Sequence, residues 1–90
     1  MTQAILKFCL NYPLFEVFMP VEARVLSAHA QGDDIYVWAL VNLEAPVKQQ
    51  RLFNVYGTGN PIQSDPGIFI GTVMLDGGSL VFHVFERVGS

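Results

Sequence analysis

The segment from Ile68 to Glu86 limits the possible folds more than any other part of the chain. "IFIGTVML" and "LVFHVFE" flank "DGGS" at Asp76 to Ser79, and the adjacent glycines accept the positive φ that a tight hairpin turn demands. Short alternating runs closed by turn residues recur along the chain. In "AILKFCL", Leu6, Phe8 and Leu10 alternate with Ile5, Lys7 and Cys9, and Asn11-Tyr12-Pro13 closes the run. "LFEVFMP" places Phe15, Val17 and Met19 on one face and ends at Pro20. "IYVWALV", Ile35 to Val41, is rich in β-branched and aromatic residues. "QRLFNVY" sets Arg51, Phe53 and Val55 against Leu52, Asn54 and Tyr56.

Residues 20 to 32 fit two descriptions. Pro20, Glu22, the central alanines and Gly32 suit a short helix, whereas "QGDD" at Gln31 to Asp34 is hairpin punctuation ahead of a strand. The hairpin agrees better with the strand-like run from Ile35 to Val41. Seven strands at short intervals then predict a single all-β domain over residues 1–90, a small antiparallel sandwich or barrel.

Composition bears on assembly. Hydrophobic residues make up 51% of the chain and charged residues 14%, where an ordinary soluble domain carries about 25% charged residues. Ile35 to Val41 and Ile68 to Leu75 are apolar on both faces, and no amphipathic helix is in view to cover the second one. The expectation is a homo-oligomer that hides apolar surface against copies of itself. No apolar run approaches the roughly 18 residues of a membrane helix, and no early positive cluster suggests a secretory signal, so the expected location is the cytoplasm. A formal charge of −3 with five Lys and Arg argues against nucleic acid as a partner, but leaves room for a small anionic ligand. The lone Cys9, in an apolar strand, reads as a small hydrophobe.

The candidate site centres on "YGTGNPI", Tyr56 to Ile62. Gly57 and Gly59 let backbone N–H groups approach a phosphate, Thr58 adds a hydroxyl and Asn60 an amide. The helix, Lys and third glycine of the established phosphate motifs are missing, so a plain turn stands beside the cradle as a reading. The connection from Gly57 to Gly67 is long for a compact domain, a length often associated with function. Arg51 is the candidate cation, either gripping a phosphate or paired with Glu44 or Glu16. Trp38 and Tyr56 are candidate stacking surfaces or core residues. Asn54 either reads a base edge or satisfies a neighbouring backbone group. His83 and His29 lack metal-ligand spacing, and the aspartates fall in turns, so neither a metal site nor an enzyme constellation is expected. No cofactor is implied.

Taken together, "WALV", "RLFNVYGTGNPI" and "GTVMLDGGSLVFHVFE" resemble a family of small phage and prophage proteins in which these strings recur. The resemblance runs from about Leu26 onward. It departs at Phe82, where a tryptophan is expected, and at Asn60, where a histidine is common. Oligomeric phage proteins of this kind include sponges that sequester nucleotide messengers of bacterial immunity, such as cyclic ADP-ribose isomers and cyclic oligonucleotides. The resemblance therefore implies a non-enzymatic binder of a nucleotide-derived signal. Arg51 and the Gly57 to Gly59 amides would hold phosphate, Tyr56 or Trp38 would stack, and Asn54, Asn60 or His83 would supply polar contacts. The alternative is a protein–protein interaction module that inhibits or bridges host or virion proteins.

Overall fold

Alternation in the sequence becomes two faces in the structure, a computed structural model that describes residues 1–88. Seven strands follow in chain order: β1 (Gln3–Leu10), β2 (Glu16–Pro20), β3 (Arg24–Gln31), β4 (Asp34–Asn42), β5 (Lys48–Gly57), β6 (Ile68–Leu75) and β7 (Leu80–Glu86). They form a three-stranded sheet, β1-β4-β3, and a four-stranded sheet, β2-β5-β7-β6, with every pairing antiparallel. The fold is all-β, a two-sheet sandwich.

The hairpin expected from "QGDD" is present. β3 pairs with β4 from Arg24↔Leu40 to Gln31↔Asp34, and residues 20–32 form no helix. Between β2 and β3 the chain turns sharply at Pro20, where Ala23 N donates to Pro20 O at 3.1 Å, and crosses from one sheet to the other. The "DGGS" connection runs left-handed at Asp76, Gly77 and Gly78, as the glycines foretold, and Ser79 Oγ donates back to the Asp76 carboxylate at 2.8 Å.

Side chains from both sheets build the core. Val37, Ala39 and Val41 of β4 face Phe53, Val73 and Val84 of the other sheet, all buried. Each Val or Phe so buried contributes about 1.5–3 kcal/mol. One side of the sandwich is drawn shut where β3 meets β6. A Cβ on Gly71 would lie 3.4 Å from the backbone N and O of Ala28, and each strand has a register shift near that contact. The other side, between β1 and the short β2, is more open: Leu6 points inward opposite Ala39 yet remains 38% exposed.

β4 and β6 treat their second apolar faces differently. β4 is central, so its outward Tyr36, Trp38 and Leu40 are half-buried beneath neighbours on β1 and β3. β6 is an edge strand, and its outward Phe69 and Met74 stand open. No helix in the described residues is long and apolar enough to cross a membrane.

At the Val41 end, an ion pair ties the elements together. Arg51 and Glu86 occupy inward positions on β5 and β7. The guanidinium grips the carboxylate through Nε and through Nη2, which is 3.1 Å from Oε1, while Nη1 donates to Ala23 O at 2.8 Å. Both side chains are only about 15% exposed, so the pair is poorly screened and each charge depends on the other. Glu86→Ala is expected to lower stability by about 3 kcal/mol by stranding the guanidinium. The joint change Arg51→Met with Glu86→Leu should recover most of that loss. Chemical denaturation of the single and double variants checks both.

Candidate functional site

The β5–β7–β6 register assembles an outward face from residues far apart in sequence. Tyr56 lies opposite His83, Asn54 opposite Phe85, and on the other flank Thr72 opposite His83 and Phe69 opposite Phe85. Three rings stack edge to face across the strands, Tyr56 to Phe85 at 5.8 Å and Phe85 to Phe69 at 5.4 Å between centroids. Such contacts add about 0.5–1.5 kcal/mol each beyond the area they bury.

His83 lies beside this ladder, held at both ring nitrogens. Thr58 Oγ1 is 2.7 Å from Nε2 and Thr72 Oγ1 is 3.0 Å from Nδ1. The Thr58 hydroxyl also reaches Val81 O, at 3.5 Å. Of the two neutral tautomers, the one with its proton on Nε2 satisfies all three contacts: Thr72 O–H donates to Nδ1, Nε2–H donates to Thr58 Oγ1, and Thr58 O–H donates to Val81 O. In the neutral ring the network thus favours the Nε2–H tautomer over the Nδ1–H one. Among the described residues, no three His, Cys, Asp or Glu side chains converge as a metal site would require.

The glycine loop is a turn. Asn60 N donates to Gly57 O at 3.1 Å, closing a four-residue β-turn, and Gly59 takes φ +88° at its third position, where a type II turn needs a positive value. Thr58 N donates to Val81 O at 3.1 Å. The Thr58 and Asn60 amides are thus spent within the fold. The chain then folds back on β7. Asn54 Nδ2 donates to Pro66 O at 3.0 Å, and Gly67, at φ +103°, lies so near the end of β7 that a Cβ would sit 2.1 Å from Glu86 O.

The structure therefore divides the sequence-derived candidates. Asn54, Tyr56, Thr58 and His83 meet on the outer face of the four-stranded sheet, with Gly57, Gly59 and Asn60 at its margin. Arg51 points into the sandwich and is committed to Glu86 and Ala23 O. The two carboxylates considered for it are engaged elsewhere, Glu44 with Thr2 N at 3.0 Å and Glu16 with Gln50 Nε2 at 2.7 Å. Trp38 lies on the outer face of the other sheet, packed edge-on to His29 at 5.5 Å. Trp38 and Tyr56 thus face opposite ways and cannot close on one ring within a protomer. Beside Trp38, Lys7 Nζ sits 4.9 Å above the Tyr36 ring, and desolvation, with smaller effects from Cys9 and Asp34, pushes the Tyr36 phenol above its ordinary range.

Sequence reasoning passed over Phe69, Phe85 and Arg87. Arg87 joins Asn54, Tyr56, Ser64 and Asp65 around a polar cleft of about 320 Å³. The signal was available, since Phe85 and Arg87 share the odd-numbered face of His83.

The fold is a small β-sandwich that carries an aromatic ladder on the outer face of its four-stranded sheet. The chain belongs to the family described as a domain of unknown function, DUF7352, whose profile matches residues 1–90. No curated protein and no solved structure matches it.

Thr72→Val removes the hydroxyl that meets Nδ1. Nitrogen NMR of His83, recorded with the ring neutral, should show the Nε2–H tautomer in the parent protein and a mixture of tautomers in the variant, with a stability loss of about 1 kcal/mol.

Proposed function

We propose that the chain is a non-catalytic protein-interaction module, that its docking surface is the outer face of the four-stranded sheet, and that a second copy of the chain docks there. One observation carries this reading. Phe69 is 56% and Met74 63% exposed on the open edge of that sheet, next to the Tyr56–Phe85–Phe69 ladder. Aromatic and methionine side chains are the ones that interface cores concentrate, and a two-fold pairing uses the same patch on both partners. The His83–threonine network gives the face a polar centre of fixed orientation, which favours one docking register over its alternatives. In a phage setting, a module of this kind would inhibit or bridge host or virion proteins. Light scattering of the purified protein should give a mass above that of the monomer, and Phe69→Glu with Met74→Glu should return it to monomer. A parent protein that stays monomeric at high concentration contradicts the proposal.

A second reading, sequestration of a nucleotide-derived signal in the host cytoplasm, is favoured by the cleft of Asn54, Tyr56 and Arg87, where a guanidinium and an aromatic ring share one hollow. Arg87 takes the role that Arg51 cannot fill. Titration with cyclic ADP-ribose isomers and cyclic dinucleotides should then show binding that Arg87→Ala weakens by roughly 1.5–3 kcal/mol. Binding indifferent to that change would remove the cleft from the site.

A further inference from the structure

The end of the sandwich opposite the Arg51–Glu86 pair does not close. A hollow of about 380 Å³ remains between the sheets there, walled by Leu10 and Ile35 from one sheet and Val55, Leu75 and Phe82 from the other. Phe15 forms a further part of the wall, fixed by two backbone bonds: its N donates to Asn11 O at 2.9 Å, and its O accepts from Phe53 N at 3.0 Å. These bonds hold Phe15 in the left-handed region at φ +48°, so the wall is set by the loop and not by side-chain drift. Tyr12 packs edge-on to Phe15 at 5.9 Å and stands at the mouth.

The polar rim is one-sided. Asp33 and Asp34, from the β3–β4 turn, border the hollow, and no Lys, Arg or His lines it. Neither carboxylate forms a salt bridge among the described residues. Lys7, on the outer face of the same sheet, is engaged with Gln31 Oε1 at 2.6 Å and with the Tyr36 ring. An apolar chamber of this size with a few polar groups at one edge has the make-up of a small-molecule site. At about 30 Å³ per water its volume equals about a dozen waters, which corresponds to a ligand of similar heavy-atom count.

We propose that this hollow binds a small arylalkylammonium ligand. Its ring lies among Leu10, Val55, Leu75 and Phe82, and its ammonium group lies against Asp33 and Asp34. The apolar walls favour the ring by burial, and the carboxylates select a cation over a neutral or anionic analogue of equal shape. A small ligand fits better than a protein surface because the hollow is a recess between two sheets, whereas a protein docks on a face. The site is separate from the outer face of the four-stranded sheet, so its test is independent of the docking proposal.

Tryptamine, 3-ethylindole and indole-3-propionate carry the same ring with a cationic, neutral or anionic tail and serve as probes in calorimetric titration of the full chain. Tryptamine is expected to bind at least tenfold more tightly than 3-ethylindole, and indole-3-propionate more weakly still. Asp33→Asn with Asp34→Asn, exposed turn positions whose replacement leaves the core intact, should bring tryptamine down to the level of the neutral probe. Methyl NMR should show the tryptamine-induced shifts at Leu10, Ile35, Val55 and Leu75. Equal affinity for the three probes, shifts elsewhere, or no binding at millimolar tryptamine would each overturn the assignment.

Discussion

The Arg51–Glu86 pair is the contact on which the rest of the architecture depends. It sits at the end of the sandwich where β5, β7 and the corner leading into β3 converge, and its third bond, to Ala23 O, joins the four-stranded sheet to the first residue before β3. Glu86 is fixed twice, by its carboxylate to Arg51 and by its backbone against Gly67, where only a glycine leaves room. The long loop after β5 is therefore pinned by the same residue that satisfies the buried cation. Asn54, holding Pro66 O, completes the clamp. An inward charge of this kind adds less to net stability than to uniqueness, because every alternative register would leave one member unpaired.

The same contact redistributes charge over the surface. Of five cationic side chains, Arg51 is neutralised in place, and Lys7 is held over Tyr36. The glycine loop consequently lacks the Arg51 cation, and its Thr58 and Asn60 amides are engaged with Val81 O and Gly57 O. What that end of the sheet offers is an aromatic ladder, a histidine held at both ring nitrogens and open apolar side chains on an edge strand. On the proposed reading, such a surface would recognise a partner by shape and burial, with hydrogen-bond pattern as the selector.

The strands were legible because period-two alternation and turn chemistry act locally. The glycines of "DGGS" and the "QGDD" punctuation mark the same turns in sequence and in space. Alternation also placed Arg51 on the face of Phe53 and Val55, where it reads as a phosphate-gripping cation or as the partner of Glu44 or Glu16, and the structure pairs it with Glu86. That partner lies 35 residues away and is chosen by cross-strand register, which no local pattern encodes. Sheet membership was equally hidden. Trp38 and Tyr56 have similar local settings, yet β4 and β5 belong to different sheets, so the two aromatics point to opposite sides. The apolar second faces of β4 and β6 looked equivalent in sequence and diverge only because one strand is central and the other an edge. The shared parity of Asn54 and Tyr56 correctly grouped those two, and the parity of His83, Phe85 and Arg87 would have extended the group had it been followed past the histidine.

The central claim is that recognition belongs to the outer face of β5, β7 and β6. The most direct measurement is a concentration series followed by NMR of aromatic and methyl groups, because it reports which face is covered without altering any residue. The account predicts shifts that grow with concentration and concentrate on Tyr56, Phe69, Met74 and Phe85, with Trp38 and Tyr36 unmoved. Shifts centred on Trp38 and Tyr36, or none up to millimolar protein, would contradict it.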